Sequence, residues 1–340
     1  MTNRSENTLR SVAGLGEFGR IRRFFAPLAT APGALGLTDD AAILDLEPDR
    51  QFVVTADALV EGVHFLPGDP ADLIARKALR MNLSDLAAKG SVPTGYLLSL
   101  ALPQSRDDAW VEAFARGLAT DQAAYQVTLL GGDSVSTEGP AVVAITAWGT
   151  VQKGKAVLRG GAKPGDIVFV SGTLGDGALG LLAATGQLAG LSFEEMVWLS
   201  DRYRLPQPRL GLGVALAPFA HAMMDISDGL VADLGHLAEV SGVAARIEAA
   251  LLPLSGAAAS ALALDPALLL TVLGGGDDYE LLFTAAAGDR ATVEALGRDQ
   301  GVAVTAIGTI SACGPDGCAV TVVDADGFPL DVPHPGWRHS

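Results

Sequence analysis

The sequence is short of what several function classes require. Only two cysteines, Cys313 and Cys318, occur in 340 residues, too few for a disulfide framework. No histidine or second cysteine pair accompanies them in ACGPDGCA, so no zinc site is expected and both are read as free thiols. Basic side chains are scarce: 23 Lys and Arg against 39 Asp and Glu leave a net charge of −16. That deficit argues against nucleic-acid partners, which are held mainly by surplus Lys and Arg, and against docking on anionic membranes. No stretch approaches the ~18 consecutive apolar residues of a membrane span. The opening MTNRSENTLRSVAG lacks the apolar core of a signal peptide, and a soluble cytoplasmic protein is expected. No Walker A motif is present, which excludes a P-loop kinase. GDGALG (175–180) fits G-x-G-x-x-G after a strand, but the acids some 20 residues on, Glu194 and Glu195, fall in a helical pattern, so a dinucleotide fold is set aside.

What is present is enough apolar sequence to fold. Hydrophobic residues make up 49%, and at roughly 150 residues per domain the length suggests two domains. In the first half, AAILDL (41–46), QFVVTAD (51–57), GYLLSLAL (95–102) and AVVAITAWGTV (141–151) read as strands. Residues 72–90 and 106–125 read as helices, the first ending at Gly90 and the second opening on aspartates. Residues 152–165 are basic and Gly-rich, as befits an interdomain loop. Beyond them strands and helices alternate, the pattern of a layered α/β domain. The expected division is 1–150 and 151–340.

The acidic residues carry the chemical signal. Asp39 and Asp40 precede a strand, Asp57 ends one, Asp133 follows TLLGG, Asp225 and Asp228 bracket DISDG, and Asp277 and Asp278 follow three glycines. Aspartate is a common cap and turn former, and Asp228 is also readable as the cap of the helix starting near Gly229. Asp85 is different: it sits mid-helix between Leu83 and Leu86, where an unpaired carboxylate costs several kcal/mol and calls for a cation. Oxygen-only ligands select a hard ion such as Mg²⁺ over Zn²⁺. Carboxylate-held ions with Gly-rich turns and no dedicated nucleophile point to phosphoryl transfer, where charge neutralisation and positioning dominate. The glycines of GGDS (131–134) and SGTLGDG (171–177) are candidate phosphate cradles.

The ordered set GEFGRI (16–21), GLTDDAAIL (36–44), TADALVEGVHF (55–65), NLSDLAAKG (82–90), LLGGDSV (129–135), LRGGAKPGD (158–166), DISDGL (225–230) and GGGDDYELLF (274–283) resembles the thiamine-monophosphate kinase family. That family belongs to the aminoimidazole ribonucleotide synthetase-like superfamily. The resemblance implies a two-domain α/β (α+β) fold: an N-terminal α+β domain that dimerises through its sheet and a C-terminal layered α/β domain. It implies a homodimer that converts thiamine monophosphate to thiamine diphosphate, with ATP as co-substrate and several Mg²⁺ ions. Residue by residue, Asp40, Thr55, Ala56, Asp57, Asp85, Asp133, Asp225 and Asp228 match metal ligands. Gly132, Asp133, Arg159 and Ser227 match nucleotide contacts, and His64, Asp277 and Trp337 match substrate contacts. The family more often has Glu at position 277, Gly at position 38 and Thr at position 56, where only the Ala56 carbonyl remains as a ligand. Structural roles stand beside these: Trp337 packing down a tail, His64 as a polar residue at a strand end. Other superfamily activities and a non-catalytic divalent-ion or nucleotide-binding protein are the competing functions. The absence of any Cys before Cys313 speaks against a selenophosphate synthetase.

Overall fold

The structure, a computed structural model, describes residues 17–38, 42, 44–314 and 317–337. A short helix, α1 (Glu17–Arg20), and helical turns through Leu37 lead into the first domain. There follow β1 (Arg50–Val60), α2 (Ala71–Ala88), β2 (Val92–Pro103), α3 (Asp108–Tyr125), β3 (Thr128–Thr137) and β4 (Val142–Gln152). The strands form one sheet in the order β1-β4-β2-β3. β2 and β3 are parallel and joined through α3, as a parallel pair requires a crossover, and the other neighbours are antiparallel.

Alternation along β1 sets its two faces: Thr55, Asp57 and Leu59 are more covered, Phe52, Val54, Ala56 and Ala58 exposed. Helix α2 lies on the covered face. Its Ile74, Ala75, Ala78, Leu79, Leu83 and Leu86 are fully buried in the first domain's core, each large side chain contributing about 1.5–3 kcal/mol. Unlike a surface helix, α2 also buries polar side chains (Lys77, Arg80, Asn82 and Ser84), because the second domain packs on its other side through α6, β6 and β8. Lys77, Met81, Asp85 and Lys89 recur every four residues, a stripe along one side of the helix. The helix stops where Gly90 adopts φ +64° and the Ser91 amide returns to Leu86 O at 3.0 Å.

The second domain comprises β5 (Asp166–Ser171), α4 (Asp176–Ala184), α5 (Phe193–Arg204), α6 (Leu210–Leu216), β6 (Ala220–Asp225), α7 (Leu230–Ser241), β7 (Val243–Glu248), α8 (Gly256–Leu264), α9 (Leu269–Gly274), β8 (Leu281–Ala286), α10 (Arg290–Asp299), β9 (Val304–Ala312), β10 (Val320–Val323) and β11 (Pro329–Leu330). Its sheet runs β11-β10-β7-β9-β5-β8-β6, largely antiparallel with β10 and β7 parallel. An apolar cluster including Ala87 and Ala88 of α2 with Phe169, Leu212, Met223 and Phe283 bonds the two domains. No helix among the described residues is long and apolar enough to cross a membrane.

Three local expectations are corrected. In 41–46 the described residues are irregular rather than strand, and Leu44 and Leu46 are exposed, because β1 pairs only with β4 and no ladder reaches them. β3 is a strand the sequence did not announce. Its paired glycines mask it, and Gly132 is required because a Cβ there would lie 1.7 Å from Leu98 O of β2. Cys313 and Cys318 are a disulfide rather than free thiols. A bridge between Gly314 and Gly317 folds the chain back and brings their Cα atoms to 4.6 Å, inside disulfide range.

Candidate active site between the domains

Three aspartates meet where α2 separates the domains. Thr55 and Asp57 share the covered face of β1, Asp85 comes from α2, and Asp225 ends β6. The Thr55 hydroxyl donates to Asp85 Oδ2 at 2.5 Å. Burial, with the Asp85 charge adding to it, pushes Asp57 up to about 6. Burial and then Asp85 push Asp225 up to about 8, with the Ser84 hydroxyl and the Lys89 ammonium pulling the other way. Lys89 is itself lowered by burial and by the nearby Arg159 guanidinium, against the pull of Asp225 and Asp85, and it donates to Met223 O at 3.0 Å. The cluster is therefore short of positive charge, and the Asp85 charge works against ionisation of both Asp57 and Asp225.

The donor set of Thr55, Asp57, Asp85 and Asp225 is all oxygen, which fits a hard ion. Among the described residues no three His, Cys, Asp or Glu side chains close into a metal cage. Of the other sequence-derived ligands, Asp40 lies outside the described residues. Ala56 sits on the exposed face of β1. Asp133, with Gly132, is on β3 at the far edge of the sheet: Asp57 pairs with Ile145, Ile145 with Leu98, and Leu98 with Gly132. Three strand spacings of about 4.8 Å separate β3, which carries Asp133, from β1, which carries Asp57, by about 14 Å within one chain. The Asp133 carboxylate accepts from the Ser134 amide at 2.8 Å.

DISDG forms a tight turn held by a residue that sequence reasoning missed. Asp233 Oδ2 accepts the amides of Ser227, Asp228 and Gly229 at 3.0, 3.1 and 3.1 Å, and burial with the Asp228 charge pushes Asp233 up to about 7. Asp233 thus does the capping that Asp228 was a candidate for, and no side chain caps α7 from its N-cap Gly229. The turn's backbone stacks on the triple glycine: a Cβ on Gly276 would lie 2.1 Å from Ser227 O, and one on Gly274 2.0 Å from His334 O. Gly274, Gly275, Gly276, Pro333, His334 and Trp337 line a crevice of about 610 Å³. The tail carrying Trp337 is pinned there, Trp337 N to Asp228 O at 2.9 Å and Ala232 N to Pro335 O at 2.8 Å. Trp337 remains 55% exposed at the crevice.

The acidic run after the glycines divides its labour. Asp277 and Tyr279 both have positive φ, +68° and +51°, a backbone state that non-glycine residues occupy only where surroundings enforce it. The Tyr279 hydroxyl donates to Asp277 Oδ1 at 3.1 Å. Burial, then Asp277, Asp57 and Asp225, raise Tyr279 well above its usual range, so this ring links Asp277 to the acid cluster. Asp278 turns inward and accepts the amides of Gly175 and Gly177 at 2.7 and 3.0 Å, its carboxyl pushed up to about 8 by burial. The expected phosphate cradle in SGTLGDG is thereby corrected: two of its amides are already taken by Asp278. Glu280 is fully buried against Ser171, Arg202 and Arg209. His64 Nδ1 accepts the Val60 amide at 3.0 Å. Lys77, also missed, donates to His64 O and to Asp277 Oδ2, both at 3.0 Å.

Residues 38–151 match the family model for AIR synthase related protein, N-terminal domain, and residues 163–319 that for its C-terminal domain. Thiamine-monophosphate kinase of Caulobacter vibrioides is 44% identical over 296 residues, covering 86% of this chain and 83% of the relative. The enzyme of the same name from Escherichia coli is 39% identical over 327 residues, covering 95% and 98%. Among solved structures, thiamine-monophosphate kinase from Stenotrophomonas maltophilia superposes with TM-score 0.78 at 42% identity, covering 86% of this chain and 91% of that one. AaThiL complexed with AMPPCP and TMP superposes at 0.74 with 32% identity, covering 96% and 97%.

Proposed function

This chain belongs to the thiamine-monophosphate kinase family, and we propose that it transfers the γ-phosphoryl group of ATP to thiamine monophosphate, yielding thiamine diphosphate and ADP. The observation that carries the reading is the convergence of Asp57, Asp85 and Asp225 from both domains, with too little cation among them. Like charges this close are costly by themselves. Magnesium ions bound there would cancel the repulsion between a triphosphate donor and a phosphorylated acceptor, about 4 kcal/mol per pair of unit charges at 4 Å and an effective dielectric of 20.

The side chains have the following roles. Thr55, Asp57, Asp85, Asp225 and Asp228 would hold the metal ions, with Asp40 and the Ala56 carbonyl as further ligands. Arg159 and Ser227 contact the nucleotide, joined by Gly132 and Asp133 of a second copy. His64, Asp277 and Trp337 receive the thiamine moiety, Trp337 offering its ring to the cationic thiazolium for about 0.5–2 kcal/mol. A terminal phosphate oxygen of thiamine monophosphate attacks the γ-phosphorus in line and ADP departs. Phosphate monoesters have a second pKa of about 6, so the attacking oxygen is already ionised near neutrality and no general base is needed.

Asp133 enters through a second copy. The sheet's outer face exposes Phe52 and Val54 of β1, Leu97 of β2 and Val135 of β3, an apolar surface a monomer seldom leaves open. We propose that these faces pair about a two-fold axis along the strands, an arrangement that would set the β3 edge of one copy beside the β1 edge of the other, so that Asp133 of one chain would serve a site built on its neighbour. We accordingly assign the first domain to ATP and metal binding and dimerisation, the second to the thiamine-contacting tail, and the reaction to the cytoplasm, where ATP is supplied. The test is ADP formation at saturating Mg²⁺ and ATP with thiamine monophosphate as the only variable. Acceptor-dependent ADP with matching thiamine diphosphate supports the kinase. ADP released at the same rate without acceptor defeats it.

A further inference from the structure

Lys77 stands out among the described lysines because it is buried, 2% exposed, in the middle of α2. An ammonium taken out of water costs several kcal/mol unless it is paired, and this one is fully committed. It has three donors: one meets Asp277 Oδ2 and another His64 O, each at 3.0 Å. Its remaining side lies 3.7 Å from the centroid of the Tyr203 ring, a favourable seat for a cation. The Tyr203 hydroxyl also donates to His64 O, at 3.4 Å. With these positions filled, Lys77 has no donor left for a phosphate oxygen, so any part it plays runs through its partners.

Those partners are two of the residues assigned to thiamine, and they come from different domains. His64 follows β1 in the first, and Asp277 precedes β8 in the second. Asp277 Oδ1 accepts from Tyr279 and Oδ2 from Lys77, which fixes both oxygens while the side chain stays 29% exposed. A carboxylate has about four acceptor sites, so the remaining lone pairs can meet a ligand without the side chain having to be ordered on binding. We propose that Lys77 is a positioning residue of the thiamine subsite: by holding Asp277 and the His64 turn in one register across the domain interface, it presents a fixed anionic acceptor to the aminopyrimidine ring of the substrate and leaves the phosphates to the acid cluster. The inference rests on the kinase reading above and adds the residue that selects the heterocycle.

The test separates positioning from mere support of the fold. Lys77→Met keeps the aliphatic stem and removes the charge. It raises KM for thiamine monophosphate about tenfold or more and leaves KM for ATP within about twofold, the signature of lost binding to one substrate only. Because Lys77 acts in part through Asp277, the double variant Lys77→Met/Asp277→Asn falls well short of the product of the two single effects, keeping only the share that runs through the His64 turn, whereas independent sites would multiply their effects in full. Equal rises in both KM values, or multiplicative effects in the double variant, overturn the proposal. A second measurement covers a variant that does not fold: in the wild-type protein the buried Lys77 ammonium, followed by ¹⁵N NMR, shifts on adding thiamine monophosphate and not on adding AMPPCP. No shift with thiamine monophosphate, or the same shift with AMPPCP alone, overturns it. Should the wild type form no acceptor-dependent ADP, the kinase reading fails, and this titration still decides whether the Lys77–Asp277 pair faces the heterocycle.

Discussion

Two sets of acids, one enclosed and one half-buried around Asp225, lie within this molecule and differ in what surrounds them. Glu280 is fully enclosed, yet Arg202, Arg209 and the Ser171 hydroxyl all reach it, and Asp121 is enclosed with Arg76 and Arg80 upon it. Asp57, Asp85 and Asp225 have Thr55, Ser84 and Lys89 near them and mainly each other. The paired acids are complete within the chain and hold it together. The crowded ones are incomplete, and a shortage of cation at a domain junction marks where a charged ligand belongs.

The comparison breaks most sharply under substitution. Asp57→Asn or Asp85→Asn relieves repulsion in the free protein while removing a ligand for the metal ions. Turnover is expected to fall by about 100-fold or more, a loss typical of a group that stabilises transition-state charge, with urea unfolding unchanged or slightly improved. Glu280→Gln should do the reverse in kind. It leaves two buried guanidinium groups without a full counter-charge and costs about 3–5 kcal/mol in unfolding free energy. Should Asp57→Asn unfold the protein while Glu280→Gln does not, the distinction collapses.

The pH dependence sharpens it further. Asp57 at about 6 and Asp225 at about 8 hold protons in the native state that the unfolded chain has already released, so stability without magnesium falls as pH rises from roughly 4 towards 8. Asp233 and Asp278, also raised, contribute with the same sign. The informative comparison is therefore Asp225→Asn, which should flatten the slope, and added Mg²⁺, which should stabilise the wild type more at pH 8 than at pH 5. Unfolding free energies at those pH values check both. The smallest effect is expected at Trp337→Ala. Loss of one exposed ring should raise KM for thiamine monophosphate a few-fold to about 30-fold, in line with 0.5–2 kcal/mol for a cation on an aromatic face, with kcat nearly unchanged.

What the sequence made legible followed from local periodicity. Helix α2 and strands β1, β2 and β4 declared themselves, and Asp85 stood out because a carboxylate inside an apolar helix is costly without a partner. What stayed hidden depended on distant partners. AAILDL has strand-like residues but no neighbouring ladder, and β3 carries Gly132 because the Leu98 backbone of β2 leaves no room for a Cβ. Lys77 reads as one more charge on a helix until the fold brings Asp277, 200 positions away, against its ammonium. In GGGDDYE, two adjacent aspartates look alike, and only the structure separates Asp277 at the crevice from Asp278 on the Gly175 and Gly177 amides.

Metal ions are expected to complete the crowded acids. Isothermal titration of the nucleotide-free protein with Mg²⁺, with and without AMPPCP, tests this most directly. The expected result is binding that tightens when AMPPCP is present, and that is lost in Asp57→Asn and Asp225→Asn but kept in an Asp107→Asn surface control. Equal Mg²⁺ binding by wild type and both cluster variants would contradict it.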